Sequence, residues 1–283
     1  MDQGQQGGVA PAAPAQAQPV VPASNIKVKP GVIIGIVGGV LGLAAVLLVV
    51  FLVVLPMFSV SAEDYDEAYE LSGDVSSECS SVSMSTYTSG TSTSIKNSVS
   101  DTKEQLKDCD DAVTKLSEAK AIQRDGEAKK LYDDFNDKYT DYKKATDIAV
   151  EAMEEIVAPM ADVTKSSSST VDGLVKYAGD LKSALNKIDG LKYDENKKFL
   201  SALKSAASNL ETSCKKYQAA YEAYKADWRN NDYPSYTDSG IYDAQSELTD
   251  ATSDWRDDLS KLGENSEPSK PLSKLRDYLS EKN

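Results

Sequence analysis

The chain has 283 residues and a formal net charge of −14, from 31 basic and 45 acidic groups. It contains no histidine, and its three cysteines form no Cys-x-x-Cys pair. The charge argues against nucleic acid as a partner. The missing imidazole removes the commonest general base and the usual ligands of catalytic zinc, and nothing in the sequence calls for a cofactor or a metal.

Residues 1–30 are rich in Gln, Pro, Ala, Gly and Val, nearly uncharged and free of aromatics. They lack the apolar content to bury a core and read as a disordered tail. Gly31 to Leu55 then form 25 consecutive positions without a charged, amide or hydroxyl side chain. At ~1.5 Å per residue, that run crosses a ~30 Å hydrocarbon layer with some tilt. Lys27 and Lys29 precede it, and the next basic residue is Lys96. The positive-inside rule therefore assigns the N-terminus to the cytoplasm and everything from about Ser59 to the outside. The expected layout is single-pass in the cell membrane. It comprises a cytoplasmic tail over 1–30, a signal-anchor helix in lipid over 31–58, and an extracytoplasmic domain over 59–283.

Within the apolar run Gly31, Gly35 and Gly39 share one line, and Gly38 and Gly42 a neighbouring one. Glycines four apart let two helix backbones approach closely, so this is a packing face for a homodimer. Replacing Gly35 and Gly39 by Leu is expected to weaken a crosslinked dimer in membranes; unchanged crosslinking removes the proposal. Just beyond the run, Val60 and Ala62 stand two apart before an acidic stretch, the small-residue pattern that signal peptidase reads. Cleavage after Ala62 would release a secreted helical protein. The run exceeds the roughly 7–15-residue apolar core of a cleaved signal, which favours a retained anchor.

Past the membrane run the pattern is helical almost throughout. Val75, Cys79 and Val82 mark a first exterior helix, followed by a Ser/Thr/Gly loop from Ser85 to Ser94. Ile95, Val99, Thr102, Leu106, Cys109, Val113 and Leu116 repeat at alternating three- and four-residue spacing, one seam of an α-helix. Leu131, Phe135, Tyr142, Ala145, Ala149, Ala152 and Ile156 form a longer stripe that Pro159 kinks or ends. After a serine run at Ser166 to Ser169, the seam Val171, Leu174, Ala178, Leu181, Leu185, Ile188 leads into an Asp189-Gly190 turn. Asp194 is the expected N-cap of the next helix, whose stripe runs Leu200, Leu203, Ala207, Leu210, Cys214, Tyr217, Tyr221, Tyr224, Trp228. A loop over 230–240 holds Pro234, and the last long stripe reads Ile241, Gln245, Leu248, Thr252, Trp255, Leu259, Leu262. A short final helix follows Pro271. Six or seven exterior helices are expected, two of them near 35–40 residues. One apolar stripe per helix requires partners, so the fold class is all-α. The transmembrane helix is followed by an elongated antiparallel helical bundle, coiled-coil-like and outside the membrane.

All three cysteines fall on these seams. Outside the cytoplasm a disulfide is permitted, and Cys79 with Cys109 would tie the first two exterior helices together. A Cys109–Cys214 bridge and three buried thiols stay open as alternatives. Eight aromatics lie between Tyr217 and Trp255. Tyr217, Tyr221, Tyr224 and Trp228 sit on a seam and read as core, whereas Tyr233 and Tyr236, in the Pro234 loop, read as contacts to a protein or glycan partner. Acidic clusters such as Asp108-Asp110-Asp111, Asp133-Asp134, Glu154-Glu155 and Asp257-Asp258 read as solvated faces. Neighbouring carboxylates on a helix diverge by about 100°, and no EF-hand loop is present.

The function expected from these features is non-enzymatic, a membrane-anchored spacer or binding module of the cell envelope. Two alternatives stand beside it. One is an accessory or sensor subunit of a membrane complex, and the other is the secreted form produced by cleavage after Ala62.

Overall fold

The helical seams find their partners in a helical arrangement. The computed structural model describes residues 59–82, 90–163 and 170–283, except for the side chains of 264 and 265. The elements in chain order are α1 (Ala62–Ser81), α2 (Ser92–Glu118), α3 (Lys120–Arg124), α4 (Gly126–Ala152), a π-helical turn (Met153–Val157) and α5 (Ala158–Ala161). They continue as α6 (Val171–Asn186), α7 (Asp194–Ala226), α8 (Tyr236–Ser239), α9 (Ile241–Asn265) and α10 (Ser269–Lys282). No strand occurs among the described residues. The 1–30 tail, the 31–58 span with Gly31, Gly35, Gly38, Gly39 and Gly42, and the serine run at 166–169 lie outside the described residues. No helix among the described residues is long and apolar enough to cross a membrane.

Local chemistry sets the helix starts. The Ser61 hydroxyl accepts from the Asp64 amide at 3.3 Å, while the Asp64 carboxylate accepts from the Ser61 amide at 2.7 Å. This reciprocal capping box satisfies two of the four N–H groups a helix leaves orphaned. Cleavage after Ala62 would sever Ser61 from the helix it caps. Thr91, Asp125, Thr170 and Ser235 cap α2, α4, α6 and α8 through side-chain oxygens. Asp194 does not cap α7. It is the first helical residue, with Tyr193 before it, and pairs with Lys197 at 2.8 Å. The capping of this turn comes from another helix, since the Glu151 carboxylate accepts from the Lys192 amide at 2.7 Å and the Tyr193 amide at 3.3 Å.

Pro159 acts one turn upstream of its own position. A proline has no N–H to donate, and its ring crowds the carbonyl four residues back. The chain accommodates both by widening into the π-turn, and the helical run then ends at Ala161. The long helix therefore continues, with this irregularity, from Gly126 to Ala161. The break between α2 and α4, at Ala119 and Asp125, carries no Gly or Pro ahead of Gly126; it and the one-turn α5 and α8 raise the element count above the expected six or seven.

The apolar residues divide into two cores. One gathers α1, the second half of α2, α3, the first half of α4, and α10 around Val75, Leu116, Phe135, Leu275 and Leu279. The other gathers the first turns of α2, the second half of α4, α6, α7 and α9 around Ile148, Ile156, Leu181, Leu203 and Trp255. α2 and α4 run through both. Side-chain bonds give the registers. Along α6 and α7, Lys182 meets Glu211 at 2.7 Å and Asp172 meets Gln218 at 2.7 Å, so these helices are antiparallel. Along α7 and α9, Lys198 faces Asp258 at 3.4 Å and Asn209 faces Glu247 at 2.7 Å, again antiparallel. The α9 stripe differs from the expected one by its choice of small residues. Ala244 and Ala251 are buried, while Gln245 is exposed.

The first and last described helices meet at one end. Asn283 donates to Asp66 at 2.6 Å, and Tyr278 donates to Asp125 at 2.8 Å, with Tyr65 on the same carboxylate oxygen. Salt links brace the surface. Lys120 donates to Asp64 at 2.8 Å. Hydrogen bonds from Lys120 and from the Ser61 backbone hold the Asp64 carboxyl at about 2. Lys182 and Lys215 likewise hold Glu211 at about 2. A carboxylate whose folded pKa lies below its ordinary value contributes stability above that value and loses it below. The denaturation midpoint is therefore expected to hold between neutral pH and about 5, then fall as pH drops from about 4 toward 2. Lys182→Met combined with Lys215→Met should flatten part of that acid limb in a urea titration; an unchanged limb removes Glu211 as a contributor.

Candidate functional site: an aromatic end

The α7 stripe leaves the core before it ends. Leu203, Ala207, Leu210, Cys214 and Tyr217 are buried, but Tyr221 and Tyr224 are half-buried and Trp228 is 63% exposed. The reading of Tyr217 as core holds, and the extension of that reading to Trp228 does not. The helix stops at Ala226, so Trp228 no longer follows the seam. The reason is local. Asn230 donates to the Asp227 carboxylate at 2.7 Å and Asn231 donates back to the Asp227 carbonyl at 2.9 Å, turning the chain away from the helix.

The loop then returns over the same face. Tyr233 is edge-on to both Tyr221 and Tyr224, with ring centroids 6.0 and 5.2 Å away. Tyr236 sits 4.8 Å from Tyr217 and 5.8 Å from Tyr242. Tyr217 and Tyr221 stack at 6.4 Å. Tyr233 is 63% exposed and Tyr242 57%, while Tyr236 is half-buried as the first residue of α8. The two loop tyrosines singled out from the sequence thus sit in one cluster with the tyrosines of the seam. Gly240 closes the turn into α9 with φ 78°, a left-handed conformation that glycine adopts freely. A Cβ at that position would stand 3.3 Å from the Ser213 hydroxyl, which adds a steric demand to the backbone one.

Cations sit on this surface. Lys225 lies 5.6 Å from the Tyr221 ring centroid and Arg229 5.2 Å from that of Trp228. Lys216 donates to the Asp238 carbonyl at 2.8 Å, pinning the returning loop to α7. Burial and the neighbouring Tyr233 hydroxyl push the Tyr217 phenol up to about 12. In a phenolate absorbance titration Tyr278, held by Asp125, titrates late as well, so the Tyr217 contribution is read as a difference. Tyr217→Phe should remove about one phenol's absorbance change near pH 12 relative to wild type, and an unchanged late amplitude would reassign it.

The helix registers place this cluster far from the end where Asp66 meets Asn283. α4 leaves that end at Asp125, and Asn196 near the start of α7 reaches Ile148 and Glu151 on α4. From Asp125 to Ile148 the helix rises about 35 Å, and from Asn196 to Tyr224 it rises about 40 Å more. Lys198–Asp258 and Asn209–Glu247 keep α9 alongside, so the α8 turn and Tyr242 belong to the far end as well.

The remaining expectations are placed as follows. Cys79 and Cys109 are bonded to each other, with Cα atoms 4.8 Å apart, and Cys214 is a buried free thiol whose pKa burial raises. Among the acidic clusters, Asp110 is not a simply solvated group. It accepts from the Tyr139 hydroxyl at 2.6 Å and pairs with Lys143. Asp133 pairs with Lys129 at 3.0 Å and Glu154 with Lys103. No grouping of acidic or cysteine side chains among the described residues is arranged to hold a metal ion.

A concavity of about 70 Å³ lies between the start of α7 and the second half of α9. Its floor is the stacked pair Phe199 and Trp255, and its rim carries Glu195, Asp254 and Asp258. Trp255 is only 4% exposed there, so this cleft offers little aromatic surface, whereas Trp228, Tyr233 and Tyr242 are each more than half exposed. Comparison with known proteins adds no relative: no family model, curated protein or solved structure matches the chain.

Several residues that shape these sites give no sequence signal. Asn196, Glu151 and Asp125 act across sequence separations of tens of residues, which no local pattern encodes. Trp228 did have one: Asp227, Asn230, Asn231 and Pro234 are turn formers that end a helical stripe.

Proposed function

We propose that this chain is a non-enzymatic binding module of the cell envelope. Residues 31–58 anchor it in the membrane, residues 1–30 lie in the cytoplasm, and residues 59–283 stand outside as an elongated antiparallel helical bundle. The bundle holds its aromatic end away from the lipid and presents it to a protein or glycan. One observation carries this reading. Trp228 and Tyr233, on a loop fixed by Asp227, Asn230 and Asn231, and Tyr242, in the first turn of α9, are all largely exposed at the end remote from Ser59. Rigid aromatic faces with hydroxyl edges provide contact area at low entropic cost, the composition of interface hot spots.

The test is capture of a partner from cell-envelope extract by the full-length protein in detergent, beside a Tyr233→Ala/Tyr236→Ala variant and Trp228→Ala. Loss of recovery by about tenfold or more in both is expected, because truncating a hot-spot aromatic costs roughly 2 kcal/mol or more. Equal recovery from wild type and both variants discards the aromatic end as the contact. Topology is tested separately. Protease added to intact cells should digest the region beyond Ser59, and full protection of the C-terminal portion overturns the anchoring.

A further inference from the structure

A cleft of about 220 Å³ opens between α1, α4 and α10. Leu272 and Tyr142 supply apolar walls over the buried Phe135 ring, the Cys79–Cys109 bridge borders it, and Ser76, Ser273 and Arg276 supply its polar edge. The Arg276 guanidinium lies over the Tyr69 ring, 5.2 Å from the centroid, with a terminal nitrogen beside Gly73. Its Nε is buried and has no hydrogen-bond partner among the described residues. No carboxylate among the described residues pairs with it, in a chain that carries 45 acidic groups.

That is an unusual state for a guanidinium, which has five N–H donors in a planar fork and cannot shed its charge. The surrounding hydroxyls divide into used and unused. Ser80 donates to the Ser77 carbonyl at 2.8 Å, Ser269 to Glu267 at 2.8 Å and Tyr142 to the Val82 carbonyl at 3.1 Å. Ser76 and Ser273 have no partner among the described residues. One cation and two unengaged hydroxyls at the edge of an apolar hollow match a planar anion attached to a hydrocarbon body.

We infer that this cleft binds a small organic monocarboxylate. Its carboxyl group is held by Arg276 with Ser76 and Ser273, and its apolar part lies against Leu272 and Tyr142. The charge of the protein selects within the anions. A surrounding net charge of −14 penalises a dianion more than a singly charged group, and the apolar walls give an inorganic ion nothing to cover them. The inference is independent of the aromatic end, which belongs to the other core, so the two can fail separately.

The experiment titrates the full-length protein in detergent micelles with benzoate and follows the Arg276 Nε–H resonance by ¹H–¹⁵N NMR. A saturable shift with a dissociation constant of about 1 mM or tighter is expected for a ligand of this size. Benzyl alcohol, the uncharged counterpart, should bind at least about tenfold more weakly, as should benzoate to Arg276→Lys, because an ammonium does not reproduce the fork. Ser76→Ala/Ser273→Ala should weaken benzoate severalfold. Both serines lie on the helix surface, so this variant carries the test if Arg276→Lys fails to fold. The inference is overturned if the resonance does not move up to about 50 mM benzoate. It is also overturned if sulfate binds and benzoate does not, or if the substitutions leave the affinity unchanged.

Discussion

Opening the Cys79–Cys109 bridge is expected to be the most destabilising single chemical change available to this chain. The bridge joins α1 to the middle of α2 across a sequence separation of 30. Chain-entropy treatment of a loop that size gives about 3.5 kcal/mol, mostly from restricting the unfolded ensemble. For a unit of this size, about 2–4 °C of melting temperature accompanies each kcal/mol, so a drop of roughly 7–14 °C follows. Cys109 is fully buried against Val75, Val113 and Leu116 in the same core, so the thiol form should remain packed and the effect should be largely a denatured-state one. That has a separate signature. The midpoint in urea should fall while the slope rises slightly, because the unbridged chain exposes more surface when unfolded. Dithiothreitol treatment of wild type and a Cys79→Ala/Cys109→Ala variant should agree in direction, the variant being somewhat worse for its lost sulfur packing. Peptide mapping under non-reducing conditions that finds three free thiols, or a midpoint insensitive to reductant, would defeat the prediction.

The same α2 seam shows what kind of information the sequence carries. Ile95, Val99, Thr102, Leu106, Cys109, Val113 and Leu116 recur at helical spacing, and every one of them is buried. Periodicity is a statement about one helix against whatever covers it, so it survives without knowledge of the partner. It weakens where a stripe outlasts its cover. The α7 stripe keeps its three–four spacing through Trp228, but α6 begins only at Val171, opposite the α7 region around Gln218, and nothing from α6 covers Tyr221 or Tyr224. Those rings are shared instead with the returning loop through Tyr233. An aromatic seam that ends in turn formers was thus legible as a stripe and illegible as a surface. The Arg276 cleft lay wholly beyond reach, because it is assembled from α1, α4 and α10, and α10 is the last element to arrive in the sequence. Small residues also misled the register of α9, where Ala244 and Ala251 take core positions and an apolar reading of the pattern drifted to Gln245.

Asn196→Leu is expected to cost about 3 kcal/mol, comparable to losing the disulfide, although leucine has the same branched skeleton as asparagine and suits a buried site. Asn196 is completely buried where α4, α7 and α9 meet. Its amide nitrogen donates to the Ile148 carbonyl at 2.8 Å and to the Glu151 carboxylate at 2.9 Å, and its oxygen accepts from the Trp255 indole at 3.2 Å. The helical bond of the Ile148 carbonyl survives the substitution, so the penalty concentrates on the other two groups. The Trp255 N–H is left without a partner in a core where its ring stacks on Phe199 at 4.8 Å, and an orphaned buried donor costs about 1–3 kcal/mol. Glu151 loses one donor of the set that fixes Lys192 and Tyr193 at the start of α7, a charged hydrogen bond of about 1.5–3 kcal/mol. A cycle with Trp255→Phe separates these contributions from simple loss of shape. If the indole bond accounts for the cost, the double variant should be at least about 1 kcal/mol more stable than the sum of the single losses predicts, since phenylalanine leaves no N–H to strand. Midpoints in urea are read by far-ultraviolet circular dichroism, because the members of the cycle that carry Trp255→Phe lack the core indole. Additivity within about 0.5 kcal/mol would show that Asn196 holds the three helices by packing, with no energetic role for the indole bond.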